Sequence, residues 1–169
     1  MGSRGIGARR YPPAMAKPRD CPCHSGRRYA ACCAPLHAGE PAATPEALMR
    51  SRYAAFALGL GEYLVATLAS SHPDLVIPRD ELVRELSRAK DRQRFLGLRI
   101  VHAAGDEVLF DARIFERGQD RSFAELSTFA RENGAWRYAS GRALPRRGLP
   151  AAFTYEDFVR AAGESARGT

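Results

Sequence analysis

All four cysteines of the chain, Cys21, Cys23, Cys32 and Cys33, fall within thirteen residues. A disulfide scaffold spreads its cysteines to close long loops, whereas a local cluster reads as a metal site. Four thiolates satisfy a tetrahedral zinc ion with bonds near ~2.3 Å, and they leave no position for water. Such a site is structural. Cys21 and Cys23 stand one residue apart on a knuckle stiffened by Pro22, and Gly26 supplies the returning turn. Cys32 and Cys33 are adjacent, so they must point differently, as at the start of a helical turn. The alternative is four free or redox-active thiols. Zinc is the expected cofactor, because metal binding is coupled to folding in modules this small.

The 169 residues suffice for one ordinary domain and a small appendage. No apolar run approaches the roughly 20 residues of a membrane-spanning helix. The first twenty residues carry arginines but no apolar stretch of a secretory signal, so a cytoplasmic location is expected. The net charge of +7 would suit nucleic acid or an anionic surface. However, twenty-four of the 26 basic residues are arginine, and they are scattered among Glu81, Glu85 and Asp91. Pairs such as Asp80 with Arg84 would neutralise them on a helix. A solvated surface is the better reading, and nucleic acid is not the expected partner.

Residues 1–20, rich in Gly, Arg and Pro, read as a disordered leader, and residues 21–39 as the cysteine module. Thr44-Pro45 opens a helix carrying Leu48, Met49, Tyr53 and Phe56 at helical spacing. A second helix is expected over 62–69, ended by His72-Pro73, and a third over 79–91. Four strands follow: Phe95 to Val101, Val108 to Phe115, Phe123 to Ala130, and Trp136 to Ser140. Asn133-Gly134 is a hairpin signal. Helices followed by a four-strand meander give an α+β fold, with helices packed on one face of a curved antiparallel sheet. Residues 44–144 form this domain. Residues 145–169 are read as a loop, a short helix opened by Thr154 with Asp157 as capping partner, and a disordered end of about six residues. Phe153, Phe158 and Val159 are candidates to dock that helix.

Cys21-Pro22-Cys23-His24-Ser25-Gly26-Arg27-Arg28-Tyr29, closed by Cys32-Cys33, resembles the SEC-C motif, a zinc knuckle also found at the end of the SecA translocation ATPase. Leu48-Met49-Arg50-Ser51-Arg52-Tyr53-Ala54-Ala55-Phe56, with Tyr63-Leu64 and Thr67-Leu68, resembles the YchJ-like family of uncharacterised bacterial proteins. The likeness runs on through Phe95-Leu96-Gly97-Leu98 and Glu132-Asn133-Gly134-Ala135-Trp136 before Tyr138, over roughly residues 20–141. It implies a SEC-C knuckle ahead of a nuclear-transport-factor-2-like cone, and no established activity. There are departures. Many relatives carry a second, C-terminal knuckle, but no cysteine follows Cys33. Phe95 stands where the family often has Trp. Phe123-Ala124-Glu125-Leu126-Ser127-Thr128-Phe129 lacks a histidine and two arginines common there.

A cone of this kind can hold a pocket. Its candidate lining is Arg52, Tyr53, Phe56 and Phe95 with Phe110, Phe129 and Trp136, and Glu125 is its polar group. Arg52 either serves an anionic ligand or pairs with a carboxylate that ties helix to sheet; the pair is the expectation. No catalytic residue can be named, because no nucleophile, base and orienter assemble from the sequence. The leading functional reading is a protein-binding or adaptor module with a structural zinc, its partner a protein met through the knuckle. The alternative is a small ligand or substrate in the cone around Glu125.

Overall fold

The computed structural model describes residues 19–167. The expected disordered leader lies, up to residue 18, outside the described residues. Arg19 and Asp20 belong instead to the knuckle: the Tyr29 amide donates to the Arg19 carbonyl at 3.1 Å, and Asp20 bridges Arg28.

After the knuckle come helices α1 (Ala34–His37), α2 (Pro45–Leu58), α3 (Gly61–Ala66), α4 (Arg79–Ser87) and α5 (Ala89–Arg92). Strands β1 (Gln93–Ala104), β2 (Glu107–Glu116), β3 (Gln119–Asp120), β4 (Phe123–Glu132) and β5 (Ala135–Pro145) follow, and then α6 (Tyr155–Arg167). Thr44 caps α2 as its sequence requires, its hydroxyl accepting from the Ala47 amide at 3.1 Å, and Pro45 takes the first helical position. Asn133 and Gly134 both adopt positive φ at the β4–β5 hairpin, where Asn-Gly is favoured because both residues tolerate it.

The sheet is antiparallel in the order β1-β2-β4-β5, with the two-residue β3 folded back on β2. The α+β expectation is thus met. Alternation along β2 sends Val108, Phe110, Ala112 and Ile114 to the inner face, where they pack with Leu48, Met49 and Tyr53 of α2. Leu109 goes to the outer face, against Phe153, Phe158 and Ala162. Helices therefore cover both faces of the sheet, not one. Thr154 and Asp157 cap α6 reciprocally: the Thr154 amide donates to Asp157 at 3.0 Å, and the Asp157 amide returns to the Thr154 hydroxyl at 3.3 Å.

Several expectations change. The helix expected over 62–69 stops at Ala66, because Thr67 to Ala69 pair with β5: the Ala69 amide donates to the Tyr138 carbonyl at 2.8 Å, and the Tyr138 amide to the Thr67 carbonyl at 2.9 Å. The helix expected over 79–91 divides at Arg88. Asp80 and Arg84 do not pair; Arg79 reaches Glu62 instead. The loop expected after Gly141 begins only beyond Pro145, since β5 pairs with β4 as far as Phe123. Of the end expected to be disordered, residues 164–167 are helical, and residues 168–169 lie outside the described residues. Burial of Phe158 and Ala162 fixes α6, and elongating an existing helix by one turn needs no new nucleus. Val159 faces solvent, because its helical step from Phe158 carries it off the docked stripe. Among the described residues no helix is long and apolar enough to cross a membrane.

Candidate functional site

The four cysteine Sγ atoms lie within 4.8 Å of one another. Cys23 and Cys32 are 3.6 Å apart, and Cys32 and Cys33 are 3.9 Å apart. Four sulfurs around an ion with ~2.3 Å bonds would stand ~3.8 Å apart, so the cluster can hold a metal ion with little movement. The thiols already share protons. Hydrogen bonding from Cys33, against the raising effect of burial and with help from Ser25, pushes the Cys23 thiol down to about 4, while burial pushes Cys21 up to about 11. Cys33 is raised by that same bond to Cys23 and by burial. A bound ion would replace those protons and satisfy all four sulfurs.

The knuckle is fastened to the inner helix layer. Ala54 of α2 packs among Cys21, Cys23, Tyr29 and Cys33. The Tyr29 hydroxyl donates to His37 Nδ1 at 2.7 Å, which leaves Nε2–H to donate to the Ser51 carbonyl at 2.9 Å. Burial accordingly lowers the His37 pKa. His24 sits edge-on to Tyr53 at 6.0 Å, and Arg50 pairs with Glu46 at 2.9 Å within α2.

Behind α2 lies a cavity of about 320 Å³. Of the expected lining, Arg52, Tyr53, Phe56, Phe110, Glu125 and Phe129 face it. Phe95 and Trp136 do not. Phe95 packs on the Tyr53 ring at 5.5 Å, while Trp136 lies beside Arg131 at the hairpin end of the sheet. Sequence reasoning missed Ser127, Tyr138, His72 and Asp74, which complete the polar wall, and the apolar Met49, Leu68 and Leu86.

Tyr138 owes its place to a β-bulge. Thr128 pairs with Ser140 but Phe129 with Tyr138, so Ala139 is an extra residue on β5. Strict alternation would set Tyr138 on the face of Ser140; the bulge turns it inward instead. There its hydroxyl donates to Glu125 Oε1 at 2.9 Å, and the Ser127 hydroxyl donates to the same oxygen at 2.6 Å. Gly141 makes room for them, since a Cβ there would overlap both Glu125 Oε1 and the Tyr138 hydroxyl. Burial, and then the charge of Glu125, raise the Tyr138 pKa, so its phenol keeps its proton and remains a donor.

Arg52 differs from expectation. Its Nη1 donates to the Leu64 carbonyl at 2.7 Å and to the Thr67 hydroxyl at 2.6 Å, and its guanidinium stacks 4.8 Å from the Tyr138 ring centroid. No carboxylate pairs with it among the described residues. The carbonyl comes from Leu64 of α3 and the hydroxyl from Thr67, which β5 holds, so the tie from helix to sheet runs through them and an aromatic face. Burial lowers the Arg52 pKa to about 10, which leaves it charged at neutral pH.

Comparison with known proteins places both parts. Residues 44–141 match the model of the YchJ middle NTF2-like domain, and residues 20–35 match the SEC-C motif. The chain belongs to the YchJ-like UPF0225 family. A UPF0225 protein of Deinococcus radiodurans is 46% identical over 138 residues, covering 80% of this chain and 95% of that one. Another, from Sodalis glossinidius, is 40% identical over 140 residues, covering 77% and 88%. The solution structure of a SEC-C motif containing protein from Rhodopseudomonas palustris matches with a TM-score of 0.61 at 38% identity, covering 73% of this chain and 98% of that one. Within this YchJ-like chain the altered segment Phe123–Phe129 still contributes Glu125, Ser127 and Phe129 to the cavity.

A second hollow, of about 510 Å³, runs along Asp120–Phe123 and Ala143–Arg147. Its Arg146 is already occupied by Asp111 and by the Leu149 and Ala151 carbonyls.

Proposed function

We propose that this UPF0225 chain is a small-ligand-binding protein in which a structural zinc knuckle holds one wall of a cone-shaped pocket. One observation carries the reading: a cavity of about 320 Å³ stays open on the inner sheet face, with a carboxylate, Glu125, presented among aromatic rings. That size sits at the lower end of the range for ligand pockets, and a few convergent polar groups in apolar walls are their usual make-up. In this division residues 21–39 are the metal knuckle, 44–144 the pocket domain, and 145 onward the strap across the outer face. Zinc is the metal that four thiolates in tetrahedral array suit best. Thiols kept ready for a metal require a reducing compartment, so a cytoplasmic setting belongs to the proposal. A fragment titration of metal-loaded protein, followed by NMR, tests it: resonances of Phe56, Phe129 and Tyr138 should move first. Fragments that shift only residues outside the cavity overturn the reading.

A second reading, a protein-binding adaptor, rests on the SEC-C motif and on Arg19, Arg27 and Arg28, which stay exposed while the cysteines turn inward. Pull-downs with wild-type and Cys32→Ser protein separate the two. Partners lost with the knuckle support the adaptor, and identical partner sets remove it.

A further inference from the structure

The polar groups of the cavity are not equally spent. Ser127 and Tyr138 each commit their hydroxyl hydrogen to Glu125 Oε1. Among the described residues no donor is bonded to Glu125 Oε2, while two hydroxyl donors converge on Oε1. Carboxylate oxygens accept hydrogen bonds, so Oε2 can take a donor from outside the chain.

The surroundings narrow that donor. Five phenylalanine and tyrosine rings line the cavity, those of Tyr53, Phe56, Phe110, Phe129 and Tyr138. Aromatic faces attract cations through their quadrupole, more strongly where water is excluded. The charged side chains of the lining are Glu125, Asp74 and Arg52, and their sum is one negative charge. Arg52 directs its own charge at the Tyr138 ring and at the partners Leu64 and Thr67. In a chain of net charge +7, the cavity is therefore acidic and short of one cation.

We propose that the cavity takes a small organic amine in its ammonium form, with the ammonium on Glu125 Oε2 and an apolar body among the rings. This rests on the pocket reading above and adds the ligand class. A cavity of about 320 Å³ accommodates a body of one ring with a short tail.

Three probes of similar size test it on the metal-loaded full chain: 2-phenylethylammonium, 2-phenylethanol and 3-phenylpropionate, each titrated by NMR at neutral pH. The ammonium should bind about tenfold or more tightly than the alcohol, as a charge-assisted hydrogen bond requires. Glu125→Gln keeps an oxygen for Ser127 and Tyr138, so it should lower the ammonium to the level of the alcohol. If the alcohol equals the ammonium, or the carboxylate binds tightest, the amine class is overturned and the pocket reading stands. If none of the three shifts a cavity resonance at millimolar concentration, the pocket reading falls with it. The wild-type ranking decides the matter even if the Glu125→Gln chain does not fold.

Discussion

The two faces of the sheet each hold a carboxylate, on neighbouring strands, and treat it oppositely. On the outer face Asp111 of β2 meets two arginines, Arg146 at 3.1 Å and Arg99 at 3.2 Å. Both guanidiniums also stack on the Phe153 ring, at 5.0 and 5.1 Å, and the α6 strap closes over the arrangement. On the inner face Glu125 of β4 meets two hydroxyls and an open cavity. Two positive charges with a buried ring between them make a clamp. In both carboxylates the two donors meet a single oxygen, but the other oxygen of Asp111, Oδ1, is buried without a hydrogen-bond partner, whereas Glu125 lines an open cavity. The contrast teaches that the charge of the partners and the presence of an open cavity, rather than the number of donors, separate a carboxylate clamped into the fold from one that lines a pocket.

The largest test of this division is metal removal. Chelation of metal-loaded protein should unfold the knuckle and loosen α2, because structural zinc sites are worth on the order of 10 kcal/mol of coupled folding energy. Hydrogen exchange should rise steeply through Ser51 to Leu58, while the amides of α6 keep their protection. Equal loss on both faces would break the comparison. Next comes Phe153→Ala, which removes a fully buried ring from the outer clamp. It should cost about 3–5 kcal/mol in urea unfolding, yet leave fragment binding in the cavity unchanged.

Gly141→Ala acts on the inner face. Its methyl group overlaps Glu125 Oε1 and the Tyr138 hydroxyl, so about 1–3 kcal/mol of stability should be lost to overpacking. Unlike Phe153→Ala, it should also abolish cavity binding. A binding-competent Gly141→Ala protein would show that the Glu125–Tyr138 pair does not define the site.

The smallest effect concerns His72 at the cavity. Burial, against the raising influence of Asp74, holds its pKa below the usual value of 6.5. The unfolded chain then binds the proton more readily, so stability present above about pH 6.5 is lost as pH falls toward the folded pKa. His72→Gln should flatten part of the stability slope between pH 7 and pH 5 in urea unfolding. An unchanged slope would mean that His72 titrates as it does in the unfolded chain.

The sequence alone determined the cysteine cluster, because soft ligands crowded into thirteen residues admit few geometries. It also determined the elements with local causes: the Thr44-Pro45 helix start, the Asn133-Gly134 hairpin, the Thr154–Asp157 cap and the period-two face of β2. The family resemblance rested on those same short-range patterns. Only the tertiary structure decided the polar wall of the cavity. Tyr138 turns inward through a one-residue bulge that no alternation pattern reveals, and Thr67 leaves its helix to pair with β5 and then receives Arg52. Phe95 and Trp136 were legible as inner-face aromatics but not as lying outside the cavity, because place along a face depends on register between strands. Local preference is carried by neighbours in the chain. The site is carried by residues brought together from α2, the segment after α3, β2, β4 and β5, and only their packing sets which oxygen of Glu125 is left open.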